Sequence, residues 1–262
     1  MPYANNRGVS VFYEVSGEGM PFVMLHANPC DHRMWMFQAA RFSNHFKVIA
    51  PDMRAYGRTD KPLAPYAFSA LVDDVLAVCK KENVQSGILA GASMGSKIAF
   101  QLLSQTPGIF QANIQVGGNA FRGSSYDGRI EGYKAAGNNV WAYRENHLKE
   151  LFAPGFTESD QGKYLASLIL NDSDRLSGSA IATLFRSFDE VDLVSDLPKI
   201  EIPTLIVNGE FDNSLKGGKM TSERIQKATH QIIEDAGHLC ILEQPDHFDR
   251  LVSDFLSQND LL

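Results

Sequence analysis

Apolar-rich runs of strand length alternate along the chain with segments of helical periodicity. Residues 9–15 alternate between apolar and polar positions and predict a strand, and residues 22–25 form an apolar run typical of a strand buried on both faces. Five further strands are predicted at residues 47–50, 87–90, 112–116, 203–207 and 230–233. Helices are predicted at residues 34–42, 67–82, 97–105 and 245–256. This alternation predicts a parallel sheet with helices on both faces.

One long segment interrupts the alternation, between the strand that ends near residue 117 and the strand that begins at residue 203. It has no strand pattern and contains four helical patterns, at residues 126–136, 140–152, 160–170 and 176–189. Glycine, asparagine and proline residues separate these helices. The pattern predicts a core domain of residues 1–118 and 195–262, with a helical cap of residues 119–194 inserted between two strands.

The length and charge of the chain fit this architecture and narrow the possible partners. The chain has 262 residues, enough for one large α/β domain with an insertion. Its formal net charge of −7 argues against nucleic acid and anionic membranes, since both attract basic surfaces. No apolar run approaches the roughly 18 residues that span a bilayer, and the first residues lack the apolar core of a signal peptide. We therefore expect a cytoplasmic protein without a membrane partner; its oligomeric state is left open.

The three cysteines, Cys30, Cys79 and Cys240, are widely spaced and form no motif with metal-ligand spacing. We expect free thiols in a reducing compartment and no bound metal. The chain also has no glycine-rich motif of the kinds that bind dinucleotides or nucleoside triphosphates. The sequence therefore predicts no cofactor.

The sequence Gly91-Ala-Ser93-Met-Gly95 lies between a predicted buried strand and a predicted helix. A serine on so tight a turn is raised above the sheet, and flanking glycines avoid collisions with neighbouring backbone. The following helix directs free amides and a partial positive charge towards the serine. A turn whose serine only caps the helix is the alternative interpretation. The position after a central strand favours Ser93 as a nucleophile.

Two loops near the end of the chain could supply the partners that a nucleophilic serine needs. A base must take the hydroxyl proton, and a third group must orient that base. His238 follows the last predicted strand, and Glu210 and Asp212 follow the strand before it. Because these strands are parallel, both loops lie at the same sheet edge as Ser93. The other histidines have no evident acid partner and suit surface, capping or loop-shaping roles: His26, His32, His45, His147, His230 and His247.

Several motifs resemble those of the α/β-hydrolase family, in the same order and with similar spacing. They are His26-Ala-Asn-Pro29, Pro51 to Pro62, the turn around Ser93, Gly209-x-x-Asp212, Ala236-Gly-His238, and Glu243-x-Pro245 with Phe248. The resemblance covers nearly the whole chain outside the insertion. It implies an α/β-hydrolase fold, with a mostly parallel eight-stranded sheet flanked by helices and a helical cap. Small carboxylesterases and 3-oxoadipate enol-lactonases are the members that the chain resembles.

The resemblance also implies catalytic roles. Ser93 corresponds to the nucleophile, His238 to the base, and Asp212, rather than Glu210, to the acid that orients the base. Some enzymes of this fold, the epoxide hydrolases and haloalkane dehalogenases, use an aspartate nucleophile. Ser93 excludes that mechanism for this chain.

Two backbone amides form the oxyanion hole in proteins of this fold. The resemblance implies those of Met94 and Ala27, with Asn28 as the alternative on the same loop. Ala27 stands where the family usually has glycine, and alanine would be strained there if the loop requires a positive φ. The donor on this loop is therefore left open between Ala27 and Asn28.

We expect a substrate pocket between the carboxyl edge of the sheet and the cap. Its candidate wall residues are mainly aromatic: Trp35, Met94, Phe121, Trp141 and Phe185. Burial in the core is the alternative for each of them. Three arginines could bind a substrate carboxylate, or could instead lie on a solvated face or in local ion pairs: Arg122, Arg129 and Arg144.

These residues predict hydrolysis of a small carboxylic ester or lactone through an acyl-enzyme intermediate. One alternative is a C–C bond hydrolase that acts on a β-diketone-like ring-fission product with the same triad. Cofactor-free oxygenases of this fold share the His/Asp pair and are a second alternative. A non-catalytic ligand-binding member of the fold is the alternative from another class, because such proteins can retain a triad. The sequence does not identify the acyl substrate.

Overall fold

The computed structural model describes residues 2–121 and 126–262, and the eight strands in these ranges form one sheet. They are β1 (Tyr3–Asn6), β2 (Val9–Ser16), β3 (Met20–Leu25), β4 (Phe46–Pro51), β5 (Gly87–Ala92), β6 (Phe110–Val116), β7 (Thr204–Gly209) and β8 (Ala228–Ile233). Their order across the sheet is β1-β2-β4-β3-β5-β6-β7-β8. β1 and β2 pair antiparallel with their neighbours, whereas β3 to β8 pair in parallel. The predicted fold class is confirmed.

Ten α-helices accompany the sheet in the described ranges. Those of the predicted core are α1 (Met36–Phe42), α2 (Ser69–Lys81), α3 (Met94–Gln105), α8 (Leu215–Ser222), α9 (Cys240–Glu243) and α10 (Pro245–Gln258). Those between β6 and β7 are α4 (Tyr126–Ala136), α5 (Trp141–Leu151), α6 (Asp160–Leu170) and α7 (Gly178–Ser187). No helix among the described residues is both long enough and apolar enough to cross a membrane.

Two apolar clusters fill the faces of the sheet, and the pleat of each strand decides which residues enter which cluster. In β3, Phe22 and Met24 belong to one cluster, and Val23 and Leu25 belong to the other. Successive side chains of a strand point to opposite faces. Helices α2 and α3 pack with the cluster of Val23, and α1 and α10 pack with that of Phe22. Burial on both faces explains the uninterrupted apolar run of this strand.

Helices α4 to α7 occupy the segment for which the sequence predicts a cap. The bounds of α4 and α6 agree with the predicted bounds, and those of α5 and α7 differ by one or two residues at each end. Helix α4 packs on α7, and α5 packs on α6. Cap side chains enter both apolar clusters, as Ile181 and Leu148 illustrate. The division of the chain into a core and a cap at residues 119–194 stays a prediction.

All three cysteines are free thiols, as the sequence predicts, and the structure shows that all three are buried. Burial raises the pKa of Cys30 and that of Cys79 to about 12. Thiols with such pKa values remain protonated near neutral pH and are poor nucleophiles. These residues are therefore part of the packed interior.

Candidate active site

Ser93 lies on the tight turn between β5 and α3. Its φ of 50° is positive, which residues other than glycine rarely adopt. A Cβ on Gly91 would lie 2.7 Å from the carbonyl oxygen of Gly95, and a Cβ on Gly95 would lie 2.3 Å from that of Leu25. Both contacts are too close for a side chain, so the G-x-S-x-G sequence is required by the turn. The N–H of Ser93 donates to the carbonyl of Val116 at 2.8 Å and ties the turn to β6.

Asp212 and His238 follow β7 and β8 and meet at the carboxyl edge of the sheet. Asp212 Oδ1 lies 2.7 Å from His238 Nδ1, and both side chains are buried. Burial alone would raise the pKa of Asp212, but the charge and hydrogen bond of His238, with hydrogen bonds from Ser214 and Asn208, lower it to about 2. The carboxylate therefore stays ionised near neutral pH and is able to orient the imidazole.

Two polar residues hold the Asp212 carboxylate in place. Asn208 Nδ2 donates to Oδ2 at 2.7 Å, and Ser214 Oγ donates to the same oxygen at 2.9 Å. The N–H of Ser214 donates to Oδ1 at 2.7 Å. Neither residue stands out in the sequence, although a serine two positions after an aspartate is typical of a turn in which the aspartate accepts from the backbone.

The loop that carries His238 is attached to the end of α5. The N–H of His238 donates to the carbonyl of Leu151 at 2.7 Å. The Glu243 carboxylate accepts from the N–H of Gly237 at 2.8 Å and from that of Ala153 at 2.7 Å. Burial raises the pKa of Glu243 to about 7 despite these two hydrogen bonds. Glu243 thus links the His238 loop to the segment that follows α5.

Ser93 and His238 line one cavity of about 340 Å³, whose walls come from the carboxyl edge of the sheet and from α4, α5 and α7. Among the predicted wall residues, Met94, Phe121 and Phe185 line this cavity. The structure therefore places these three side chains together with the proposed nucleophile and base.

The two tryptophans do not belong to this cavity, which corrects the prediction. Trp35 is only 1% exposed and packs in the cluster that contains Phe22. Trp141 is 47% exposed and lines a separate surface cleft between α5 and α6. A tryptophan on a short helix or at a helix start can point to core, cavity or solvent, and only the tertiary packing decides between them.

The loop after β3 places Ala27 differently from the expectation. The N–H of Ala27 donates to Met34 Sδ at 3.1 Å, so this amide already has a partner inside the protein. Ala27 is not among the residues with a positive φ, so its backbone does not have the strain that a positive φ would cause. Asn28, the alternative, lines the cavity beside Ser93 and Met94. Of the two candidates on this loop, Asn28 is therefore the better placed. The N–H of Met94, in the first turn of α3, is the candidate for the other amide of the oxyanion hole.

The side chain of Asn28 is held by two buried tyrosines. Its Oδ1 accepts from Tyr56 Oη at 2.6 Å and from Tyr133 Oη at 2.7 Å. Neither tyrosine has any exposed surface. Because Tyr133 belongs to α4, this pair of bonds connects the cap to the loop that follows β3. Sequence reasoning gave neither tyrosine a role: Tyr56 lies within the motif of residues 51–62, and Tyr133 lies outside every motif.

The three predicted arginines have different positions. Arg144 is fully buried, and its guanidinium donates to Asp172 and Ser173 and to the carbonyls of Pro29 and Ile169. It is not available to a substrate carboxylate, and its ion pair with Asp172 fits the other alternative, a local ion pair. Arg129 lines the cavity, and Arg122 lies outside the described residues.

His32 has an acid partner, contrary to the expectation. Its Nδ1 lies 2.7 Å from Oδ1 of the buried Asp52. Asp31, His32 and Asp52 place potential metal ligands within 4.8 Å of one another. However, Asp31 pairs with Arg33, and Asp52 also accepts from the backbone N–H groups of His32 and Arg58. These bonds explain the group as a support of the loops after β3 and β4.

Known proteins resemble this chain along most of its length. A model of the α/β hydrolase fold matches residues 20–245. 3-Oxoadipate enol-lactonase 1 of Acinetobacter baylyi is 28% identical over 266 residues, which cover 96% of this chain and 95% of that protein. 2-Hydroxymuconate semialdehyde hydrolase of Pseudomonas putida is 26% identical over 263 residues, which cover 94% of this chain and 90% of that protein.

A solved structure of similar fold was also found. The crystal structure of the enol-lactonase from Burkholderia xenovorans LB400 matches with a TM-score of 0.89 at 24% sequence identity, and the match covers 98% of this chain and 100% of that chain. The family model spans most of the sheet, the turn at Ser93 and the loop of Asp212. This chain belongs to the α/β-hydrolase fold family.

Proposed function

We propose that the protein is a serine hydrolase that cleaves a small carboxylic ester or lactone through an acyl-enzyme intermediate. One observation carries the proposal: His238, which lies 2.7 Å from the Asp212 carboxylate, lines the same cavity as a serine on a strained strand-to-helix turn. This combination of groups activates a hydroxyl as a nucleophile. The enol-lactonase among the relatives, named for lactone chemistry, supports the same substrate class.

Each residue has a defined part in the proposed reaction. Ser93 Oγ attacks the acyl carbon while His238 removes its proton, and the amides of Met94 and Asn28 stabilise the tetrahedral oxyanion. His238 then protonates the leaving alcohol, which in a lactone remains attached to the acyl group. The same imidazole activates water for deacylation, and Asp212 stabilises the imidazolium in both steps.

The substitution Ser93→Ala tests this proposal. The wild-type protein should release a burst of p-nitrophenol from p-nitrophenyl acetate, and the variant should lose the burst and roughly 10³- to 10⁶-fold in kcat because no acyl-enzyme can form. Ser167→Ala, at an exposed serine of α6, is the matched control and should keep full activity. Near-native turnover by the Ser93 variant would disprove the role of Ser93. Ester binding by the wild type without any burst would favour a ligand-binding protein.

A C–C bond hydrolase is the second candidate, because the relative from Pseudomonas putida is named for a semialdehyde hydrolase activity. The same base and nucleophile can act on a β-diketone-like ring-fission product. These compounds absorb strongly in the visible or near-ultraviolet range, so their disappearance is measured directly. A kcat/KM for such a product above that for every ester and lactone would favour this candidate.

A further inference from the structure

Two cationic side chains line the cavity of Ser93, and neither forms an ion pair with a carboxylate of the described ranges. They are Lys97, from α3, and Arg129, from α4. Among the described residues that line the cavity, the one carboxylate is that of Glu150, which is 72% exposed and lies 3.5 Å from His147. A buried cation without an acidic partner is costly, so its retention in a cavity suggests a ligand of opposite charge.

Lys97 is only 7% exposed. Its ammonium group donates to the carbonyl oxygens of Asn119 at 2.9 Å and Phe121 at 2.8 Å. An ammonium group has three N–H bonds, so one is not used by these carbonyls. The ring of Tyr126, whose centroid lies 5.7 Å from Nζ, is too distant to take the place of a hydrogen-bond acceptor. Burial lowers the pKa of Lys97 to about 8, which leaves most of the group charged at neutral pH.

The position of Lys97 relates it directly to the nucleophile. Lys97 follows Ser93 by four residues, and the backbone N–H of Lys97 donates to the backbone carbonyl of Ser93 at 3.4 Å. Residues four apart lie on the same face of a helix, about 6 Å apart along its axis. A small molecule in the cavity is therefore able to reach both groups at once.

Arg129 adds a second positive charge to the same cavity. Among the described residues, the partner of its guanidinium is the ring of His147. Arg129 Nη1 lies 2.8 Å from Nδ1 of that ring. Burial is the main reason, and the charge of Arg129 the second, why the pKa of His147 is lowered to about 2. The histidine is therefore neutral near pH 7 and leaves the positive charge of Arg129 unchanged. A guanidinium has five N–H donors, and most of those of Arg129 remain for a ligand.

We propose that the acyl part of the substrate carries a carboxylate, which Lys97 and Arg129 recognise while the ester or lactone carbonyl lies at Ser93. This inference rests on the proposed function for the position of the acyl carbon. A carboxylate suits the site because it can accept hydrogen bonds from both cations, and their positive charges balance its negative charge. Lys97 already donates to two carbonyl oxygens, so its third N–H is the one that would reach the carboxylate. The substrate is thus the half-ester of a short dicarboxylic acid, or a lactone that carries a free carboxylate.

Half-esters and matched neutral esters test the charge preference. The monomethyl esters of succinate, glutarate and adipate are compared with the methyl esters of butanoate, pentanoate and hexanoate, which replace the carboxylate by a methyl group. At least one half-ester should have a kcat/KM about tenfold or more above that of its neutral partner. Equal or higher kcat/KM values for the neutral ester at all three lengths would overturn the inference.

Two substitutions then locate the recognition. Lys97→Met and Arg129→Met should each lower kcat/KM for the preferred half-ester by about ten- to a hundredfold, with less than about a threefold change for the neutral ester. The neutral ester shows whether a variant is folded, which matters for Lys97→Met because it removes two hydrogen bonds. Lys163→Met, at an exposed lysine of α6, is the control and should change neither value. An equal loss on both substrates in both variants would contradict a role in charge recognition.

A binding measurement separates this inference from the proposed function. Succinate, glutarate and adipate are titrated by calorimetry into the wild type, Lys97→Met and Lys163→Met. One dicarboxylate should bind the wild type and bind the Lys97 variant at least about tenfold more weakly. If no ester is cleaved but this binding pattern appears, the proposed function fails and the anion site stands. If esters are cleaved but none of the three acids binds at millimolar concentration, the anion site fails and the hydrolase proposal stands.

Discussion

Two carboxylates follow β7 within a few residues, and their surroundings distinguish them. Glu210 is exposed, and its carboxylate accepts only from the N–H of Asp235 among the described residues, at 3.1 Å. Asp212 is buried, lies 2.7 Å from His238 and accepts from both Asn208 and Ser214. A triad acid must be ionised and fixed in position, and the contacts of Asp212 achieve both. The geometry therefore supports the choice of acid that the family resemblance implies.

Asp212→Asn should lower kcat for ester hydrolysis by roughly 10³- to 10⁴-fold, because the amide no longer stabilises the imidazolium and favours the wrong tautomer of His238. Glu210→Gln is the matched control and should keep kcat within about twofold. Steady-state kinetics on p-nitrophenyl acetate, with circular dichroism to verify folding, measures both. The opposite ranking of the two variants would move the acid to Glu210.

Elements that depend on local pattern were predictable, and elements shaped by the site were not. The apolar run of β5 and the periodicity of α6 contain enough information to place them. Helix α8 has two central glycines, Gly217 and Gly218, which disfavour a helix. A Cβ on Gly218 would lie 2.1 Å from Oδ1 of Asn208, the residue that holds Asp212. The helix was hidden in the sequence because its glycines serve a close contact next to the site.

Strand β1 was not predicted from the sequence, for a different reason. Its sequence, Tyr-Ala-Asn-Asn, has one buried residue, Ala4, and its remaining side chains are exposed or half-buried. Its register with β2 is fixed by backbone pairing from Tyr3 opposite Phe12 to Asn6 opposite Val9. Edge strands of this kind need no apolar pattern, because pairing with a neighbour forms them.

The contact between α4 and the loop after β3 leads to a prediction for Tyr133. Tyr133→Phe removes one of the two hydroxyls that hold the Asn28 carboxamide. The variant should lose about tenfold in kcat with less change in KM, because a looser Asn28 stabilises the oxyanion less well. The loss of one buried hydrogen bond should cost about 1 kcal/mol of unfolding free energy.

A suitable control for this prediction is Tyr143→Phe, since the Tyr143 hydroxyl reaches only the carbonyl of Gly128, at 3.5 Å, among the described residues. Both variants are assayed on the same ester and by thermal unfolding. A purely structural role for Tyr133 would lower the melting temperature and leave kcat unchanged. That outcome would disprove the positioning of Asn28 through the cap.

The cavity belongs to the whole molecule, and its lining shows the limit of sequence reasoning. Phe121 and Phe185 line it, whereas Trp35 lies in the core and Trp141 on the surface. These aromatic residues are alike in the sequence, and only the docking of the cap on the sheet separates them. Lys97 illustrates the same limit, because a lysine in a helix is usually solvated. The nucleophile and base were predictable because a strained turn and a loop motif leave local signatures.

His147 links this cavity to the acid stability of the whole protein. Burial and the charge of Arg129 lower its pKa to about 2 in the folded state, whereas an unfolded chain has the ordinary histidine pKa of about 6.5. Below that value the unfolded state binds a proton that the folded state excludes. The stability contributed by the neutral histidine is therefore present above about pH 6.5 and is lost progressively as the pH falls.

Replacing His147 by glutamine should remove this loss. Between about pH 7 and about pH 5, the wild type should lose about 2 kcal/mol of unfolding free energy through this residue, and the difference between wild type and His147→Gln should change by that amount. Urea unfolding at the two pH values measures it, provided that the m-values agree. His45→Gln, at an exposed histidine, is the control and should leave the pH dependence unaltered. A pH dependence of His147→Gln that parallels that of the wild type would mean that His147 accepts a proton in the folded protein about as readily as in the unfolded chain. Burial and the charge of Arg129 would then not lower its pKa.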